Sequence, residues 1–318
     1  MIDRAPRLIR SSPGGMTPVI AFILLTAAFT GFHLALFRPA LTGPDAHGYF
    51  LQTRFLAGTG STVFKPESPV QYVGPHWLDV GAGRVGPVYG PGFAVALLPG
   101  YLVAGPTGAL VTNLVLAVLS LAAMFLLVRR LAGDWSAIAA TALLAFLPTF
   151  NEQVHWGGTH VAIACLSLWG LLLLIRWSGS GRAWFAIAAG LLFGVIPAVR
   201  YPEAVLGVGF LLWLLLHLNR REHRVGTALL VLAGAALPVG LLLFYSRQTY
   251  GAWLATGYAR TGEQAAFALS YVSRNTLPYL GKLFTQGAGP VAVLGVPGLA
   301  ALWLVPARRR LSLLFCNQ

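Results

Sequence analysis

ALVTNLVLAVLSLAAMFLLV, residues 109–128, runs directly into Arg129-Arg130. These twenty residues carry no charge. As a helix rising ~1.5 Å per residue, they match the roughly 30 Å hydrocarbon core of a bilayer. Seven further apolar runs surround them: 19–37, 135–150, 161–175, 183–199, 204–218, 227–245 and 291–305. The expected fold is therefore all-α, a polytopic membrane helical bundle with about eight transmembrane helices. Composition agrees: 57% of the 318 residues are hydrophobic and 10% are charged, which excludes a soluble enzyme, a nucleic-acid binder and a fibrous protein. The net charge of +13 reads as topology signalling by Lys and Arg rather than as a nucleic-acid footprint. The two cysteines, Cys165 and Cys316, form neither a disulfide framework nor a zinc site. Cys165 lies inside an apolar run and reads as a small core residue.

The basic residues set the orientation. Arg4, Arg7 and Arg10 precede the first run, which is longer than a signal-peptide core and reads as an uncleaved anchor. With the N-terminus cytoplasmic and one crossing per run, Arg129-Arg130, Arg176, Arg182, Arg220-Arg221, Arg224 and Arg308-Arg309-Arg310 all fall inside. Residues 88–104 are apolar as well, but they carry Gly90, Pro91, Gly92, Pro99 and Gly100. Counting them as a span would put the three internal basic clusters outside. They are therefore expected to form a surface or re-entrant segment. The outer face then holds loop 38–107, which carries interfacial helices, short turns near 151–158 and 200–203, and a second loop at 246–289. The whole chain, 1–318, reads as a single membrane domain.

The ionisable residues point to that outer face. Asp45, Glu67, Asp79, Glu152, Glu203 and Glu263 lie there, and the middles of the spans are nearly free of charge. Ion-coupled carriers place ionisable groups or broken helices near the midplane, so the pattern favours a catalyst at the membrane surface. Asp45 sits in Gly43-Pro44-Asp45-Ala46-His47-Gly48-Tyr49-Phe50, where a helix is expected with Tyr49 one turn on. It is either a helix N-cap or a catalytic acid. Glu152, His155 and His160 share one turn, but their spacing fits no standard metal signature. Arg200-Tyr201-Pro202-Glu203 is a turn without slack: either a local ion pair with snorkelling or an anion clamp. Gly81-Ala82-Gly83 and Gly86 lack the Lys-Ser/Thr of a P-loop.

In this order the motifs resemble the C-type polytopic membrane glycosyltransferases that use polyprenyl-phosphate sugars, in particular the protein mannosyltransferase and aminoarabinose transferase relatives. Their Asp-Glu-x-x-Tyr after the first span is similar to Asp45-Ala46-His47-Gly48-Tyr49. Their Tyr-Pro-Pro-Gly-like motif is similar to Tyr89-Gly90-Pro91-Gly92. A Ser-His or Asn-His pair is matched by Thr159-His160, and a Thr-Arg-Pro by Val199-Arg200-Tyr201-Pro202. A Tyr-Asn-x-x-Phe-Gly-x-Pro stretch is echoed by residues 245–252. The sequence departs from the pattern at Ala46 and at Gly90. Relatives usually continue past the eighth span, so the chain reads as a shortened or truncated member.

The resemblance implies sugar transfer from a polyprenyl phosphate to an acceptor lipid, glycan or protein at the outer face of a bacterial inner membrane. The anomeric configuration would invert. Asp45 would be the general base, with His160 or Glu152 orienting it or the acceptor. Arg200 would hold the departing phosphate, with Arg84 and Arg54 as alternatives. Tyr49, Tyr89 and Glu203 would line the substrate site, and membrane lipids would surround it. Arginine can neutralise the phosphate, so neither a cofactor nor a bound metal is expected. The competing readings are a non-catalytic polyprenyl-lipid-binding paralogue and, more distantly, a transporter.

Overall fold

The computed structural model describes residues 16–41, 43–68, 71, 76–217, 221–262, 268–287 and 289. The run at 291–305 and Cys316 lie outside the described residues. The chain is an all-α membrane fold with one small sheet. Its helices are α1 (Met16–Ala35), α2 (Pro44–Thr59), α3 (Gly92–Ala132), α4 (Asp134–Ala145), α5 (Pro148–Trp156), α6 (His160–Ser180), α7 (Ala183–Val199), α8 (Ala204–His217), α9 (Arg221–Tyr250), α10 (Gly257–Thr261) and α11 (Leu269–Lys282). Strands β1 (Trp77–Gly81) and β2 (Arg84–Pro87) pair antiparallel. This hairpin departs from the all-α expectation. Gly81-Ala82-Gly83 is its turn, with all three residues at positive φ, and Asp79 Oδ1 accepts from the Gly81 N–H at 2.7 Å.

Among the described residues, four helices are long and apolar enough to cross a membrane: Met16–Ala35, Gly92–Ala132, His160–Ser180 and Val225–Tyr250. The expected span at 135–150 is divided. Pro148 has no N–H to continue the helix and holds Leu147 extended (φ −67°, ψ 118°). The 12 residues of α4 rise only ~18 Å. Asn151 closes the break by donating from Nδ2 to the carbonyls of Ala145 (2.8 Å) and Leu147 (2.9 Å). Its Oδ1 accepts from His33 Nε2 at 2.8 Å. His33, 1% exposed, thereby ties α1 to α5.

The 41 residues of α3 are two helices rather than one rod. Ala104 (φ −136°) and Gly105 (φ 58°) break it, and the chain turns back so sharply that a Cβ on Gly100 would strike the Gly108 carbonyl. The first arm, 92–103, rises ~18 Å, against the roughly 30 Å of a hydrocarbon core. The second arm is long enough. Its close packing requires glycine at positions 100 and 108.

Two apolar cores hold the bundle. One joins Tyr49, Tyr89 and Phe93 to Leu171, Phe193, Ile196 and Val231. The other joins Phe29 to Leu114, Leu121, Phe150 and Val161. The α7–α9 contact rests on Gly190 and Gly194, one turn apart, against Val231 and Ala235. This is the small-residue packing that lets membrane helices approach closely. Cys165 is buried, as expected of a core residue.

Candidate active site

Asp45 is the second residue of α2. Gly43 occupies the cap position and makes no side-chain cap bond, and Pro44 opens the helix. The N-cap reading of Asp45 is therefore set aside. Its carboxylate turns to another element: Oδ1 accepts from the Tyr89 hydroxyl at 2.7 Å. The same hydroxyl lies 2.8 Å from His76 Nδ1. Tyr49, one helical turn after Asp45, packs against Tyr89 with ring centroids 4.7 Å apart and planes tilted by 31°.

Glycine brings Tyr89 here. In Tyr89-Gly90-Pro91-Gly92 a Cβ at Gly90 would overlap the Ala198 carbonyl, and one at Gly92 would lie 2.5 Å from the Ala198 carbonyl carbon. The motif is thus pressed on the end of α7, two residues before Arg200. Tyr250 anchors the incoming strand by donating to the Pro87 carbonyl at 2.7 Å.

Arg200 follows α7 in an extended conformation (φ −153°, ψ 116°), and Tyr201–Glu203 form a single 3-10 turn after it. Its Nη1 donates to Glu203 Oε1 at 3.3 Å and stands 3.5 Å from His160 Nδ1. The ion-pair reading is realised, and the pair is only partly buried, so part of the guanidinium fork is accessible to a ligand. Thr159, 3% exposed, acts on the Tyr49 phenol. The Thr159-His160 pair therefore joins α6 to the same cluster. Tyr49 links the halves, since its phenol feels Tyr258, Arg200 and Asp45. Burial first, then Tyr258, pushes the Tyr49 phenol far up. Burial and the hydrogen bond to Asp45 do the same for Tyr89. Both are neutral hydroxyls at physiological pH.

Asp45, Tyr49, Tyr89, His160, Arg200 and Glu203 thus come together from four segments of chain. Glu152 does not join them: it is exposed on α5, with no hydrogen bond or ion pair to the cluster among the described residues. His155 bonds His33 Nδ1 at 2.8 Å rather than sharing a site with Glu152 and His160. Arg54 is exposed on α2, and Arg84 is exposed where the hairpin turn ends. Five residues of extended chain separate Arg84 from Tyr89, roughly 15 Å. Sequence reasoning missed His76, Tyr201 and Tyr258. Tyr258 sets its ring edge-on to Tyr89 (6.1 Å) and Tyr201 (5.7 Å). Tyr201 stood inside a motif already singled out, whereas His76 carried no signal.

The dolichyl-phosphate-mannose-protein mannosyltransferase family matches residues 101–245, a little under half of the chain. The match includes Thr159-His160 and Arg200-Tyr201-Pro202 and stops short of Asp45 and Tyr89. The archaeal oligosaccharyltransferase AglB from Archaeoglobus fulgidus, solved with an inhibitory peptide and a dolichol-phosphate, superposes with a TM-score of 0.54 at 14% identity. The superposition covers 94% of this chain and 38% of that one. The chain is similar to the C-type polytopic membrane glycosyltransferases. Its glycosyltransferase-like fold spans little more than a third of the AglB chain. No curated protein matches it in sequence.

Proposed function

We propose that the chain is a membrane glycosyltransferase that moves a sugar from a polyprenyl phosphate to an acceptor hydroxyl. One observation carries the reading. An exposed carboxylate on α2 and an arginine fork at the end of α7 are held around the same tyrosine cluster, at one end of the bundle. The acceptor oxygen attacks the anomeric carbon, its proton passes to Asp45, and the bond from the anomeric carbon to the phosphate oxygen breaks. In-line attack inverts the configuration. The departing phosphate gains charge as that bond breaks, and Arg200 meets it with charge-assisted hydrogen bonds. His160, against Arg200, orients the acceptor or the fork. The two solved-structure ligands of AglB, a dolichol-phosphate and a peptide, are in keeping with a lipid phosphate and a separate acceptor here.

The same reading supplies the topology. Residues 1–318 form one membrane domain of about eight crossings, with 135–150, α7 and α8 as short ones. The site lies on the outer face, and residues 38–107 lie on that face too.

Asp45→Asn tests the chemistry. Asparagine keeps the oxygen that accepts from Tyr89 but cannot take a proton. A positioned general base contributes a factor of about 10²–10⁴. The purified variant is expected to melt with the wild type and bind donor, yet transfer mannose from dolichyl-phosphate mannose at least about a hundredfold more slowly. Equal turnover would remove Asp45 from the base role.

A further inference from the structure

Tyr89 has one hydroxyl proton and two neighbours that compete for it. Asp45 Oδ1 lies at 2.7 Å and His76 Nδ1 at 2.8 Å. An ionised carboxylate can only accept, so the Asp45 contact requires the Tyr89 proton. The His76 contact then has to run the other way, from Nδ1–H to the Tyr89 oxygen. Neutral imidazole carries its proton on one nitrogen or the other. In the Nε2–H tautomer, Nδ1 would be an acceptor and would draw the Tyr89 proton away from Asp45. Ring packing holds the partners in place: the His76 and Tyr89 rings lie 5.4 Å apart at 29°, and Tyr89 is held between Tyr49 and Tyr258.

We infer that His76 is a positioning residue for Asp45, acting through Tyr89. Its Nδ1–H fills the Tyr89 lone pair and commits the Tyr89 proton to Oδ1. The carboxylate is then locked by one oxygen, and the other is left to take the acceptor's proton. No proton travels along the chain during transfer. It goes from the acceptor hydroxyl to the free Asp45 oxygen, while the Tyr89 and His76 protons stay where they are. The role rests on Asp45 as the general base. The hydrogen-bond direction on which it depends can be read in the resting protein.

The test has two arms. In the first, the protein carrying ¹⁵N-labelled histidine is examined in detergent, with His76 assigned by difference against His76→Asn. The expected spectrum shows a protonated Nδ1 on His76, and Tyr89→Phe should abolish that signature. An Nε2–H tautomer in the wild type overturns the inference whatever the activities. In the second arm, turnover of dolichyl-phosphate mannose is followed with a hydroxyl acceptor. His76→Ala should lower kcat by about ten- to a hundredfold with KM for the donor unchanged, as expected when an orienting partner is lost. His76→Asn places an amide N–H near the lost Nδ1–H and should restore most of kcat. Tyr89→Phe should make a further His76→Ala change silent, because the two act as one unit. Wild-type kcat in His76→Ala beside a slow Asp45→Asn overturns the positioning role alone. Full turnover in Asp45→Asn overturns the general-base reading and the positioning role together.

Discussion

Arg200 spends one nitrogen on two neighbours, Glu203 Oε1 at 3.3 Å and His160 Nδ1 at 3.5 Å. The ion pair is a quarter to a third exposed, and pairs of that kind contribute about 0–1 kcal/mol. The fork is therefore worth little to the fold, in keeping with the phosphate role proposed for it. Arg200→Lys keeps the charge but loses the planar, bidentate geometry suited to phosphate. Turnover of dolichyl-phosphate mannose is expected to fall about tenfold or more, the scale of one charged hydrogen bond, while the melting temperature in detergent barely moves. Arg200→Ala turning over at the wild-type rate would exclude the phosphate role. At this scale the sequence was readable where partners lie close along the chain. Asp45 and Tyr49 are four apart, Thr159 adjoins His160, and Arg200 pairs with Glu203 across one turn. It was not readable where partners are distant. Nothing in the spacing connects Asp45 to Tyr89, 44 residues away, and His76 stands in a loop with neither periodicity nor a motif.

Among the elements, the segment 88–104 shows how local chemistry determines architecture. Its glycines and prolines underlie the expectation that it does not cross. The reasons are physical: Gly105 supplies a positive φ at the bend, Gly100 meets Gly108, and Gly90 meets Ala198. The hairpin at 77–87 was within reach of the same reasoning, because Gly81-Ala82-Gly83 is a turn signal flanked by alternating residues. Weighing those glycines only against a phosphate loop concealed it. The break before α5 likewise followed from Pro148, but the apolar run before it, which Phe150 extends, masked it. Gly90→Ala tests the docking of the Tyr89 motif. The added methyl must displace the Ala198 backbone, and overpacking of this kind costs about 1–3 kcal/mol. Melting should fall accordingly. Turnover should fall further than stability does, since the displaced backbone adjoins both Tyr89 and Arg200. Gly207→Ala in α8, which has nothing within 4 Å of the added carbon, should leave melting unchanged or higher. If Gly90→Ala behaves like Gly207→Ala, the close approach is not a determinant of the site.

At the scale of the molecule, α6 is the ruler. Its 21 residues rise ~31 Å, about one hydrocarbon thickness. His160 at its start faces Arg200. At its other end Gly179 lies so near the Arg130 guanidinium that a Cβ there would be 2.5 Å from it, and Arg129 pairs with Asp134 at 2.6 Å. The tyrosine–carboxylate cluster and the basic turns thus occupy opposite ends of the bundle. Lys and Arg collect on the cytoplasmic side, so the cluster end is expected outside. The bend in α3 sharpens the test. If 92–103 does not cross and 106–132 does, Lys65 and Thr107 share the outer face and Ser136 lies inside. All three positions are exposed. Single cysteines at each, in a background with Cys165 and Cys316 replaced by serine, can be probed in intact cells with a membrane-impermeant maleimide. Lys65→Cys and Thr107→Cys should label at once, and Ser136→Cys only after permeabilisation. Labelling of Lys65→Cys from outside with Thr107→Cys reached only from the cytoplasm would mean that the first arm of α3 crosses. Every later turn would then be inverted, and Arg200 and His160 would face the cytoplasm, away from a donor presented in the outer leaflet.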